Sequence, residues 1–437
     1  MEKGLLFTYT MTYGGAAVSL FYPYVGFLIY VCFAIIKPPA MWYWSVPAGA
    51  YYDRTVAIAV MIGWLIQGFG NWKLGKAAGR ITVTLVLFFF WQVVGWAASD
   101  IPELAQWHVI DQAKILFMFL IGISLLDSSR KLKALGWTMA LSLGYLAYEL
   151  NLSYYAGYNR AGSEGFAGLD NNCVAVEMAC GAGLAMFLGF GERRLWLKAL
   201  GLMSAVLCAH TVMFCWSRGG MLGLICVGIT GFLLIHREPK HYLVFLLLVA
   251  LAFRLAGDQV RERFLTVFVD PEERDTSANT RLEYWGHAWR AMQRNPLFGV
   301  GPGHWMYYCD QVGIRRIYIH SVWMQTGAET GFPGLALLIA LYGQTILYLY
   351  PLTRKKARVG HPWFPEAARM VIAGLVGYAV AGSFVSLVNL EIAYYLVLLG
   401  AGVLKVNSAL LAQPATQWAA SPQSPLESRR SWQPVPA

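Results

Sequence analysis

The sequence predicts an all-α polytopic membrane protein of about twelve transmembrane helices, or thirteen, with one large helical loop on its outer face. Three observations lead there. Of the 437 residues, 57% are hydrophobic and 13% charged, whereas soluble domains carry about 25% charged residues. Many apolar stretches reach the roughly 17–20 residues needed to cross a bilayer. Short basic connections then alternate with less basic ones, as the positive-inside rule requires.

The apolar segments fall near 5–20, 22–38, 54–70, 81–98, 111–127, 134–150, 172–190, 195–214, 219–235, 241–256, 331–351, 368–387 and 391–411. The connections at 71–80, 128–133, 192–198, 236–241 and 353–358 are rich in Lys and Arg and are placed in the cytoplasm. Loops 40–53, 98–110, 151–171 and 257–330 then face outward. Residues 1–38 fit one long tilted span, two spans, or one span with a re-entrant piece. Twelve spans put the N-terminus inside and thirteen put it outside. The chain divides into a transmembrane bundle (1–256), the outer loop (257–330), further transmembrane helices (331–411) and a proline-rich cytoplasmic tail (412–437) expected to be disordered.

The start of the chain lacks the small-residue cleavage site of a signal peptide. The net charge of +10 reports topology. No basic soluble domain is present to hold a nucleic acid. Seven cysteines, mostly inside apolar segments and without a CxxC pair, suggest neither a disulfide framework nor a zinc site.

The outer loop holds eight arginines (261, 263, 274, 281, 290, 294, 315 and 316), no lysine, and several aromatic residues. Guanidinium makes a planar fork that matches phosphate and carboxylate oxygens. Within the loop, "TSANTRLEYWGHAWRAMQRNP" (276–296) reads as an amphipathic helix over about 280–294. Thr280 and Glu283 are spaced as a capping box, and Leu282, Trp285, Trp289 and Met292 form the apolar stripe. Arg281 then falls in the first turn, where helix N–H groups and guanidinium converge on an anion. It could equally pair with Glu283 or Asp275.

Four further stretches carry candidates. In "CWSRGGMLG" (215–223), Arg218 lies where two spans meet on the outer side, a costly place for an unpaired charge. Ser217, Gly219 and Gly220 leave room for a ligand. Arg160, in "YNRAGSEGFAGLDNN" (158–172), is placed to reach the same cavity or to sit on the loop surface. "LFGVGPGHW" (297–305) follows a helix and contains Pro302, so it reads as a rigid turn rather than a nucleotide loop; His304 within it is a minor candidate. His320 follows Arg315 and Arg316 and precedes a membrane entry. A neutral imidazole there has the proton affinity of a general base. Glu329 could orient it or cap the helix starting near Thr330. No metal-ligand spacing surrounds His320.

In order, the chain shows "SRG", then Arg281 and Trp285 ahead of "NPLFGVGPG", then His320 nine residues before "ETGFPG". This set resembles the O-antigen ligase and O-antigen polymerase superfamily of bacterial membrane glycosyltransferases. The matching residues are Ser217, Arg218, Gly219, Arg281, Trp285, Pro296, Gly299, Gly301, His320, Glu329, Gly331 and Gly334, over a core of about 200–345. "YPYVGFLIYVCFAIIKPP" (22–39) is similar to the O-glycosylation ligases that accompany exosortase systems. Ser321 departs from the asparagine common after the histidine, but keeps a hydrogen-bonding group.

The resemblance implies a C-type glycosyltransferase fold in the inner membrane, with its active site facing the periplasm. It implies metal-independent, inverting transfer of a glycan from undecaprenyl diphosphate to a hydroxyl of lipid A–core, a protein or another glycan, with no cofactor. In that setting His320 takes the acceptor proton, and Arg218 and Arg281 hold the charge growing on the diphosphate. Arg160, Arg315, Arg316, Ser217, Glu329 and Trp285 are expected around the substrate. A repeat-unit polymerase, a protein O-oligosaccharyltransferase and a lipid-linked glycan transporter are the competing readings.

Overall fold

The computed structural model describes residues 3–49, 51–235 and 276–412, with 238–239, 242–243 and 246–247 between them. Most of the predicted span at 241–256, the loop arginines 261, 263 and 274, and the predicted tail from 413 lie outside the described residues. Among the described residues the elements are helical, apart from one isolated bridge between Phe166 and Leu169. Eight described helices are long and apolar enough to cross a membrane, and Arg218–Leu234 is a shorter apolar one.

At the centre stands the Asn171–Phe190 helix, apolar on every side and almost wholly buried. Such a helix belongs inside a bundle. It packs against Ser129–Tyr155, Leu195–Phe214, Arg218–Leu234 and Phe364–Ala381. Small residues allow the close approaches. A Cβ added at Gly201 would lie 2.8 Å from the Gly189 backbone, and one at Gly223 would lie 2.7 Å from the Ala381 side chain. Glycine-lined crossings gain van der Waals contact where lipid offers no hydrophobic drive.

The N-terminal region holds two antiparallel helical segments. The first runs from Lys3 through a π-turn at Thr10–Gly14 to Phe21, and the second is Pro23–Ile36. Gly4 sits against Trp42, whereas Phe21 accepts from the Gln67 side chain and Tyr24 donates to the Lys131 carbonyl. The start of the described chain therefore shares an end with the loop after Ile36.

Loops gather at two ends. At one end Lys405 Nζ donates to the Asn71 and Ile123 carbonyls at 2.6 and 2.7 Å, and Lys133 pairs with Glu192 at 2.8 Å. At the other, the loops 37–51, 156–170, 215–217, 295–321 and 382–390 meet.

The Val322–Leu349 helix organises this second end. It begins nine residues before the apolar run at 331, capped by Ser321, whose hydroxyl accepts from Met324 N at 3.3 Å. Gly331 breaks it with φ 71° and ψ −175°. In an unbroken helix Phe332 N would donate to Ala328 O. Here Ala328 O accepts from Val300 N at 2.8 Å, and Phe332 N donates to Pro296 O at 2.9 Å. The Thr330 carbonyl accepts from Trp91 Nε1 at 2.9 Å, and Trp91 stacks on Phe298. Thus "NPLFGVGPG" and "ETGFPG" are two halves of one backbone lock.

The lock needs glycine at both sides. A Cβ on Gly331 would lie 2.3 Å from Leu297 O, and one on Gly299 would lie 2.2 Å from Ala328 O; both residues have positive φ. Gly331→Ala is expected to destabilise the protein by about 1–3 kcal/mol. Gly343→Ala, in the same helix with open space around it, serves as the control. Thermal unfolding in detergent reads both. Equal melting temperatures for the two variants would contradict the lock.

Candidate active site

The loop helix spans Thr276–Arg294, one turn longer at its start than the sequence suggests. Thr280 is thus inside the helix rather than its cap, and Arg281 lies in the second turn. The exposed amides of a helix start do not lie beside it, so any anion it holds is held by the guanidinium itself. The buried stripe also differs from expectation. Tyr284, Ala288, Ala291 and Met292 are buried, while Leu282 and Trp289 are exposed. The buried face packs on Trp305, Tyr308, Cys309 and Ile319, a small core separate from the bundle core. Trp289 instead meets Phe332, at the top of the broken helix.

Two hydrogen bonds tie this helix to the segment leading to His320. Tyr284 OH donates to the Arg315 carbonyl at 2.6 Å, and Trp285 Nε1 donates to the Ile319 carbonyl at 3.0 Å. Trp285 so positions the backbone beside His320, and its ring lies 6.3 Å from Phe384. Phe384 in turn covers Gly219.

His320 is half-buried, with φ +52°. A side-chain-bearing residue in this left-handed region costs about 1–2 kcal/mol. The turn is held by Ser386 Oγ, which accepts from His320 N at 2.8 Å, and by the Ser321 cap. "CWSR" repeats the device: Trp216 has φ +55°, and Ser217 caps the Arg218–Leu234 helix by accepting from Gly220 N at 3.1 Å. Ser217 shapes the turn that presents Arg218.

Loop 158–171 ties onto that turn. Asn159 Nδ2 donates to Phe214 O and Asn171 Nδ2 to Cys215 O, each at 2.8 Å. Asp170 caps the central helix by accepting from Cys173 N at 2.8 Å. Its charge and that of Arg281 both act on His320. Burial, and then the Arg281 guanidinium, hold the imidazole's proton affinity below that of free histidine, while Asp170 works against them. The result is a neutral ring at pH 7, able to accept a proton.

The remaining candidates fall elsewhere. Arg160 Nη2 donates to Ala40 O at 3.0 Å, and its guanidinium lies over Tyr43 and Phe166. Arg316 is paired bidentately with Asp310 at 2.7 and 2.5 Å on an exposed surface. Arg315 is exposed beside it. Glu329 is buried two turns into the helix, facing the Gly303 and Trp305 backbone, Gln325 and His108. It supports the glycine turn rather than orienting the imidazole. His304 is buried, with Nδ1 2.9 Å from the Pro302 carbonyl.

Asp170 and Ser386 were not anticipated from the sequence. Asp170-Asn171 ahead of an apolar run carries a helix N-cap signature, so the first was detectable. Nothing local marks Ser386, which is 66 residues from His320.

Residues 203–339 match the family described as O-Antigen ligase, and this stretch contains Ser217, Arg218, Arg281, His320 and both halves of the lock. The chain thus contains a stretch of the O-antigen ligase family type. It is 26% identical over 298 residues to the O-antigen ligase of Salmonella typhimurium (strain LT2), covering 62% of this chain and 69% of that protein. The family match and the apolar helices together support a multi-pass bacterial membrane protein of ligase type.

In this protein, Ser386→Ala removes the acceptor for the His320 amide while leaving both helices intact. The expected result is a roughly fivefold slower transfer, from about 1 kcal/mol of lost hydrogen bonding. Ser386→Thr, which keeps the hydroxyl, should restore most of the rate. Equal rates for Ala, Thr and wild type would show that the turn does not depend on this bond.

Proposed function

We propose that the protein transfers a glycan from undecaprenyl diphosphate to an acceptor hydroxyl at the outer face of the inner membrane. The observation that carries this reading is His320, a half-buried imidazole under the opposing charges of Arg281 and Asp170, on a turn held by Ser386. His320 takes the proton of the attacking hydroxyl. The nucleophile oxygen then bonds to the sugar anomeric carbon as the bond to the diphosphate oxygen breaks on the opposite face, inverting that centre. Arg281 and Arg218 hold the negative charge that grows on the leaving diphosphate. Proton and electron balance close with these groups: the imidazole gains a proton and the lipid diphosphate leaves as an anion.

The acceptor is read as the lipid A–core hydroxyl, in keeping with the ligase relative. A repeat-unit polymerase would use the same residues with a glycan acceptor. A transporter would need His320 for no bond-making step. Glycan transfer measured with purified protein, lipid-linked donor and lipid A–core separates the three. His320→Ala is expected to lower transfer at least a hundredfold while the protein still inserts and purifies normally. Arg281→Lys should lose about tenfold or more, because a point charge replaces the fork. A fully active His320→Ala protein would end the general-base assignment.

The charge pattern also sets a pH dependence. The imidazole must be neutral to act, so activity falls as pH drops through its proton affinity. Because burial and Arg281 lower that affinity, the acid limb should lie below the ordinary histidine value of about 6.5. Asp170→Asn removes the group that raises it, and should move the limb further toward acid. A limb that moves toward alkaline pH in Asp170→Asn would refute the arrangement.

A further inference from the structure

A cavity of about 490 Å³ opens at the same end of the bundle, lined by Tyr30, Phe33, Lys37, Tyr52, Asp53 and Glu391 among others. Its size lies within the roughly 300–1,000 Å³ of small-molecule sites. We propose that this cavity seats a neutral, hydroxyl-rich sugar ring of one of the two glycan substrates. The inference rests on the glycan-transfer reading and names a subsite for it.

The lining selects the ligand class. Two carboxylates stand against one ammonium, so a diphosphate would meet net repulsion. The three charged side chains exclude a polyprenyl tail, whose burial there would leave them desolvated. A sugar hydroxyl both donates and accepts. Asp53 and Glu391 offer acceptor oxygens, Lys37 offers donors, and the tyrosine and phenylalanine rings offer apolar faces. Glu391 is already fixed from behind, since Tyr395 OH donates to its Oε2 at 3.1 Å. Lys37 is fixed by its left-handed backbone, φ +46°, and by its N–H donating to Phe33 O at 2.8 Å. These are pre-set polar groups of the kind that orient a bound ring.

The cavity's walls run directly to the groups around His320. Ala167 lines it, three residues before Asp170. Glu391 lines it five residues after Ser386, the partner of His320 N. At about 3.6 Å per residue for extended chain, these stretches span at most about 11 and 18 Å, within the reach of a short oligosaccharide. Arg160 bonds the Ala40 carbonyl at this rim. It braces that lining residue from outside the cavity. In the same stretch of chain the rings of Tyr43, Trp44 and Tyr51 are exposed, as aromatic residues are at a membrane–water interface. A glycan carried on a lipid would arrive at that depth.

The test uses the full-length protein in detergent. Its tryptophan fluorescence is titrated separately with delipidated core oligosaccharide and with free repeat-unit oligosaccharide. One of the two is expected to bind saturably, with affinity falling about tenfold in Asp53→Asn, Glu391→Gln and the cavity-filling Ala34→Phe. Which oligosaccharide binds assigns the ring to acceptor or donor. In turnover, the same variants should raise KM for that substrate about tenfold and keep kcat within twofold. Failure of both oligosaccharides to bind wild type would overturn the proposal, as would affinities unchanged in Asp53→Asn and Glu391→Gln. Asp53 lies on the surface, so its variant remains informative if the cavity-filling one does not fold. Binding without any transfer by wild type would instead count against the glycan-transfer reading and leave the subsite supported.

Discussion

The outer half of this protein hangs on a single exchange of backbone hydrogen bonds. At Gly331 one helical bond, from Phe332 N to Ala328 O, is replaced by two bonds to the loop, at Pro296 O and Val300 N. A broken helix inside a bilayer protein leaves polar groups that water cannot reach, and each must find a partner in the protein. Pro333 has no N–H to offer, so the break lies where the ladder is weakest. The loop supplies the missing partners, and Trp91 supplies one more at the Thr330 carbonyl. What could have been a defect becomes the attachment point of the whole loop domain.

That attachment fixes the loop residues of the candidate site. The loop helix ends at Arg294, immediately before the lock, so its direction is set there. Tyr284 and Trp285 then carry the position forward to Arg315 and Ile319, and His320 follows. From the bundle side, Ser386, Asn171 and the Ser217 cap bring three more loops to the same place. Two left-handed residues, Trp216 and His320, precede the two serine caps. The strain of each is offset by the cap and by the bonds around it. Such strain is stored where a side chain must point in a direction that ordinary backbone would not give.

Much of this was legible in the sequence, because the membrane restricts the choices. Apolar length fixes spans, and Lys and Arg fix sides. The described helices follow the expected segments from 52 to 234 and from 364 to 411, except that Pro102–Leu125 starts nine residues before its expected run at 111, inside the expected loop 98–110. Other errors share a cause. The helix at Val322 starts earlier than its apolar run, because "VWMQTGAETG" is shielded by the loop domain and not by lipid. The Tyr284 face of the loop helix was misread for the same reason: it packs on Trp305 and Tyr308, so membrane logic did not apply. Individual partners were hidden more deeply. Arg160 and Arg316 look alike as loop arginines, and only the fold shows that one braces Ala40 and the other pairs with Asp310.

The residues of the ordered motif can therefore be divided by physical task. Gly299, Gly331 and Pro296 belong to the lock, Ser217 and Ser321 to the caps, and Trp285 to the approach of the loop. His320, Arg281 and Arg218 are the residues that the proposed transfer assigns to the substrate. A ligase with a different sugar or acceptor needs the same lock and the same charge on the diphosphate, but different walls where the glycan lies. Those walls come from the 37–53 and 167–170 loops and the start of the last helix. Most of this surface, including Lys37, Asp53 and Glu391, lies outside residues 203–339, the part that matches the family. Shared chemistry and individual specificity are then carried by different parts of one chain.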